Sequence, residues 1–134
     1  MACKLEEKKV FLLTLSAVVV DANIIVSALL KDSITRKALL SEKTPKLFAP
    51  EFIEQELLKY SGIFAKRLKT SESELKKTIL GLFEASKLEV ISSKHYSRFM
   101  NESLQITPDK KDAPYFSLAL KLETPIWSQD SLLK

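Results

Sequence analysis

Residues 17–21, Ala-Val-Val-Val-Asp, form an apolar, mostly β-branched run with no polar alternation. That is the pattern of a strand covered on both faces. From Asn23 to about Leu30 the spacing predicts a helix. Asp32-Ser33 breaks it, and a second helical piece covers about Ile34 to Ser41. Pro45 precedes a short strand over Lys46-Leu47-Phe48-Ala49, and Pro50 opens a helix over about 51–60. Ser61-Gly62 reads as a break before a short helix near 63–69. Ser71-Glu72-Ser73-Glu74 is a capping box, with Ser71 as the N-cap and Glu74 at the third helical position. Leu75, Ile79, Leu82 and Phe83 follow at helical spacing. Leu88 to Ile91 is a third strand, about Lys94 to Ser103 a helix, and Pro108-Asp109 starts a helix reaching about Leu122. Pro125-Ile126-Trp127-Ser128 is the last strand the pattern yields. Short apolar strands alternating with helices predict an α/β fold with a mainly parallel sheet. Sites in such sheets form at the carboxyl ends of strands, at a topological switch point.

Lys8-Lys9 ahead of Val10 to Val20 imitates a secretory leader. The run is too short to span a bilayer, ends in Asp21 and offers no small-residue cleavage site. Buried strand is the better reading, with a cytoplasmic chain and no membrane segment.

Length and composition narrow the chemistry. A chain of 134 residues is one domain with room for a core. Its net charge of +4 is compatible with a polyanionic partner without requiring one. The single cysteine, Cys3, excludes an internal disulfide and fits a reducing compartment. One cysteine and one histidine, His95, do not make a structural zinc site, so any metal would be held by oxygen, which points to Mg²⁺ or Mn²⁺. With only Gly62 and Gly81, no glycine-rich phosphate loop is available.

Four acids stand out. Asp21 ends an apolar strand, where it either caps the following helix or faces the sheet's active edge as a ligand. On a helical wheel from Phe52, Glu56 falls at about 40°, between Phe52 and the pair Tyr60 and Ile53 at about 80° and 100°. An acid on that apolar face needs a partner: a metal site, or a lysine or arginine in a buried ion pair. Asp112 shares an inward stripe with Tyr115, Phe116 and Ala119, and is either a ligand or the helix N-cap, although Asp109 is the better cap. Asp130, after Trp127-Ser128-Gln129, is by itself an ordinary turn acid. Four converging carboxylates would repel, and a divalent cation is the usual remedy. Asn23, Ser128, Lys110, Lys111 and Arg36 are candidates for substrate contact. His95 reads as surface and Trp127 as core.

Val-Val-Val-Asp-Ala-Asn at 18–23, Ala-Pro-Glu-Phe-Ile-Glu-Gln-Glu-Leu at 49–57, Asp-Lys-Lys-Asp-Ala-Pro-Tyr-Phe-Ser-Leu-Ala-Leu at 109–120 and Trp-Ser-Gln-Asp at 127–130 together resemble the PIN-domain nucleases, most of all the prokaryotic toxin-type (VapC-like) proteins. The resemblance implies a three-layer α/β/α sandwich over 17–134, with residues 1–16 as an N-terminal extension. It places the family's acidic quartet on Asp21, Glu56, Asp112 and Asp130. It implies a Mg²⁺- or Mn²⁺-dependent endoribonuclease, homodimeric, and in toxin members blocked by an antitoxin. In that reading Asp21 and Asp112 are the core ligands, Glu56 orients water and Asp130 completes a second metal position. PIN domains usually continue past the fourth aspartate into a further helix and strand, so the sheet is expected to lack its final strand. That shortfall favours the alternative, a catalytically inactive PIN-like module that binds RNA or protein. A receiver-like signalling domain fits less well, because Leu88-Glu89-Val90-Ile91-Ser92 offers no phosphate-accepting aspartate.

Overall fold

The computed structural model describes residues 16–30, 33–128 and 132–133. Most of the expected N-terminal extension, Cys3 and Asp130 lie outside the described residues.

Strand β1 (Ala17–Val20) is the centre of the molecule, and Val18, Val19 and Val20 have no exposed surface. The unalternating valines follow from that position, since each face of the strand is covered. On one side β1 pairs in parallel with β2 (Lys46–Pro50), which pairs in parallel with β3 (Glu89–Ile91). On its other side it pairs in parallel with β4 (Ile126–Trp127). The strand order is β3-β2-β1-β4-β5, so the chain builds outward from β1 and then returns to its far side. The switch point lies between β1 and β4, where the Asp21 amide donates to the Trp127 carbonyl at 3.1 Å.

Seven α-helices complete the described fold: α1 (Ala22–Leu30), α2 (Ser33–Leu40), α3 (Phe52–Lys59), α4 (Ser61–Arg67), α5 (Glu72–Ser86), α6 (Met100–Ile106) and α7 (Ala113–Leu122). Helices flank the sheet in an α/β/α sandwich. Helix α7 packs on β1, β2 and β4, and α6 packs on α7. Helix α1 packs against α2 and α3, and α5 against α2 and α4. Ile24, Ile25, Ile53, Leu57, Leu75 and Leu118 carry the helical share of the core. No helix among the described residues is long and apolar enough to cross a membrane.

Several boundaries differ from the pattern for identifiable reasons. Ser61 and Gly62 are the first turn of α4, not a break, because the single Ser61 hydroxyl proton is shared between the Leu58 carbonyl (2.9 Å) and Glu72 (3.1 Å), tying the turn to its neighbours. The helix expected over about 94–103 is instead two 3₁₀ turns, Ser93–His95 and Ser97–Phe99, followed by α6. The long helix from Asp109 divides into a 3₁₀ turn, Lys110–Asp112, and α7, whose first turn carries Pro114. The expectation of a missing final strand is also corrected. Leu132–Leu133 forms β5, antiparallel to β4, and covers the edge that the pattern left open.

The capping box forms as the sequence predicts: the Ser71 hydroxyl accepts from the Glu74 amide at 3.1 Å. Helices α5 and α7 end in left-handed residues that are not glycine, Lys87 at φ 58° and Glu123 at φ 54°. Ser71→Ala should lower stability by about 1 kcal/mol, and Leu118→Ala, at a fully buried position, by about 2–5 kcal/mol. Urea denaturation would read both as shifts in midpoint at unchanged slope.

Candidate functional site

The carboxyl end of β1 turns directly into α1, and Asp21 occupies the junction. Its Oδ1 accepts from the Asn23 amide at 3.0 Å, so the carboxylate caps the second residue of α1. The residue is half-buried, and desolvation holds its pKa above the ordinary 3.8 despite the opposing pull of that amide. Of the two readings open from sequence, helix capping is the contact formed.

Glu56 projects from α3 toward the same junction. Its partner is neither lysine nor arginine: the Tyr115 hydroxyl, from α7, donates to Oε1. Tyr115 is 1% exposed, and its ring meets Phe52 edge-on at 6.3 Å, which fixes where the hydroxyl points. The same hydroxyl accepts from the Ala22 amide, so one phenol links the start of α1 to α3 and α7. Burial, then the hydrogen bond to Glu56, pushes the Tyr115 pKa far up, and it stays a proton donor at all accessible pH. Glu56 itself has a raised pKa. Desolvation is the main cause, the Tyr115 bond opposes it, and the charges of Asp21 and Asp112 add to it.

Asp112 stands at the N-cap position of α7 but makes no side-chain cap bond. Asp109 instead caps the preceding 3₁₀ turn, accepting from the Lys111 amide at 3.0 Å. Desolvation raises the Asp112 pKa, helped by the charges of Asp21 and Asp109. Asn23, Glu56, Asp109, Lys111 and Asp112 line one cleft, whose apolar wall comes from Val26, Tyr60 and Phe64. The cleft holds about 470 Å³. Two of the four sequence-selected acids, Glu56 and Asp112, therefore line one cleft, Asp21 acts on both by its charge, and the fourth, Asp130, lies outside the described residues.

The other candidates divide. Asn23 and Lys111 are at the cleft, and the Lys111 charge favours the ionised form of Glu56. Lys110 is exposed on the adjoining turn, and Ser128 is half-buried just past β4. Arg36 is elsewhere: its Nε and one terminal nitrogen donate to the Ala28 carbonyl at 3.0 and 2.8 Å, and it lines a separate cavity with Ala28 and Leu29. His95 is exposed and Trp127 is core, as the sequence indicates. Sequence reasoning missed Tyr115 as a functional group. The signal was present, since a tyrosine on a buried stripe must place its hydroxyl somewhere.

The expected Mg²⁺ or Mn²⁺ does not fit this arrangement. Among the described residues, no group of three or more histidine, cysteine, aspartate or glutamate side chains is placed to hold a metal ion. The physical reason lies in the contacts above. Asp21 is turned back onto the Asn23 amide and Glu56 onto the Tyr115 hydroxyl, so the carboxylates sense each other's charge without converging on one point. This overturns the expected metal cofactor, the metal-dependent endoribonuclease activity and the nuclease mechanism built on them.

Two outcomes follow. Tyr115→Phe keeps the ring and removes the donor to a half-buried carboxylate, and should cost about 1–3 kcal/mol in urea denaturation. The three raised acids bind protons more tightly folded than unfolded. Their contribution to stability is therefore full below the ordinary values of 3.8 and 4.5 and is lost as pH rises through the raised folded values. Asp21→Asn, which keeps a good cap, should be more stable than wild type at neutral pH, with a shallower decline as pH rises above the ordinary carboxylate range. A variant less stable than wild type at neutral pH would contradict this.

The family comparison agrees with the architecture. The PIN domain model matches residues 19–134, which takes in every strand and helix from within β1 onward. No curated protein matches the chain. With the match spanning most of its length, this chain belongs to the PIN domain family.

Proposed function

We propose that this PIN domain works as a binding module, and that its acidic cleft receives a basic side chain from a protein partner. The observation that carries this reading is the character of the cleft. Glu56, Asp109 and Asp112 line it and Asp21 adds its charge to theirs, without a metal-holding arrangement among the described residues, and Lys111 is the one cation among those lining residues. Unneutralised carboxylates repel a phosphate backbone, whereas a guanidinium or ammonium relieves the repulsion among them. Val26, Tyr60 and Phe64 offer an apolar wall for the aliphatic stem of a lysine or arginine. The finer likeness to toxin-type, VapC-like proteins belongs to this proposal, because toxin members are held by an antitoxin and the contact in question is then between proteins. A cytoplasmic setting, read from the lone cysteine, belongs to it as well.

The test is titration of the full chain with an arginine-rich peptide by calorimetry, beside Asp21→Asn and Glu56→Gln. Each substitution should weaken binding about tenfold. Binding should also weaken as pH falls, since the raised pKa values of the three acids bring protonation on early. Peptide binding unaffected by both substitutions would sink the proposal. Cleavage of RNA by the wild type with Mn²⁺, abolished in Asp21→Asn, would also overturn it.

A further inference from the structure

A cavity of about 520 Å³ opens between α1, α2 and α5, and it shares no lining residue with the acidic cleft. Leu29, Leu40, Leu68, Leu75 and Leu82 give it an aliphatic wall. Leu75 is buried, Leu29, Leu68 and Leu82 are partly buried against the core, and Leu40 is exposed at the edge. The volume is that of a site for a small organic ligand. Among the described residues no aromatic side chain lines it, so nothing there would stack on a nucleobase or an aryl ring. Leucines pack instead against a flexible aliphatic chain, contact by contact.

Arg36 is the one charged group among the described lining residues. Its Nε and one terminal nitrogen both donate to the Ala28 carbonyl, in the last turn of α1. That contact takes only the side edge of the guanidinium fork. The end-on edge, with an N–H on each terminal nitrogen, has no hydrogen-bond or ion-pair partner among the described residues. Two parallel N–H groups on one edge are the geometry that a planar carboxylate accepts bidentately. Because Ala28 already holds the fork, little freedom is lost when an anion docks on it. The Thr78 hydroxyl is committed to the Glu74 carbonyl at 3.0 Å, whereas the Thr70 side chain makes no hydrogen bond among the described residues and adds a second donor to the lining. An aliphatic wall beside one fixed guanidinium is complementary in charge to an acid with a hydrocarbon tail, and not to a polyanion.

We infer that this cavity binds a medium-chain fatty carboxylate, its head group held by the free edge of Arg36 and its chain packed on Leu29, Leu68, Leu75 and Leu82. This goes beyond the cleft reading and does not depend on it, because the site is a different one and its ligand carries the opposite charge.

Methyl-resolved NMR titration of the full chain with hexanoate, octanoate and decanoate, below micelle-forming concentrations, tests this. The methyl signals of those four leucines should shift saturably, while Leu58 and Leu104, exposed elsewhere, stay unmoved. Affinity should rise about fourfold for each added methylene. At the same signals decylammonium, an equal chain with the opposite charge, should bind at least about tenfold more weakly than decanoate. Arg36→Gln should weaken decanoate about tenfold and bring the two ligands within about twofold of each other. Ala85→Trp, at an exposed helical position on the lining, should block decanoate by filling the cavity. Should Arg36→Gln fail to fold by circular dichroism, the wild-type charge preference and Ala85→Trp decide. No saturable shift with decanoate overturns the inference. So does decylammonium binding there as tightly as decanoate, or decanoate binding that Arg36→Gln or Ala85→Trp leaves unchanged.

Discussion

Desolvation of carboxylates at the end of β1 is the constraint around which this molecule is organised. A parallel sheet covered on both faces must deliver its strand ends into a crevice, and here that crevice contains acids. Leaving a charged group half-buried without partners is expensive. The chain meets this locally, by turning Asp21 onto the first turn of α1 and by placing a buried phenol against Glu56. Tyr115 is the pivotal group. Its hydroxyl draws α1, α3 and α7 to one point, and its ring is fixed by Phe52. The cleft is thereby built from three separate stretches of sequence held by one side chain.

The same contacts explain why family membership and the expected chemistry part company. The fold needs the strand order, the switch point and the inward stripe of α7, and all are present. Metal-dependent cleavage needs more: oxygen atoms converging on a point at short range. Carboxylates occupied by an amide and a phenol shape an electrostatic field without forming that point.

Much of the fold was legible because its signals are local. The valine run, the capping box at Ser71 and the position of Glu56 on the apolar face of α3 each state a physical requirement within a few residues. The acids at 21, 56 and 112 could be chosen from seventeen in the same way. What escaped depends on partners distant in sequence. Ser61 and Gly62 read as a break until Glu72 is seen to hold them. Arg36 reads as a free cation until the Ala28 carbonyl is seen to take it. The two-residue β5 is too short to carry a pattern, and only its pairing with β4 defines it. The partner of Glu56 is 59 positions away, beyond the reach of any periodicity argument.

Lys87 and Glu123 close α5 and α7 in the left-handed region, where a side chain costs about 1 kcal/mol relative to glycine. Neither of the chain's two glycines serves at these positions. The protein therefore carries unspent thermostability in its backbone, remote from the cleft and open to engineering. Glycine at both helix ends would raise the melting temperature by several degrees without altering a core contact or a cleft residue.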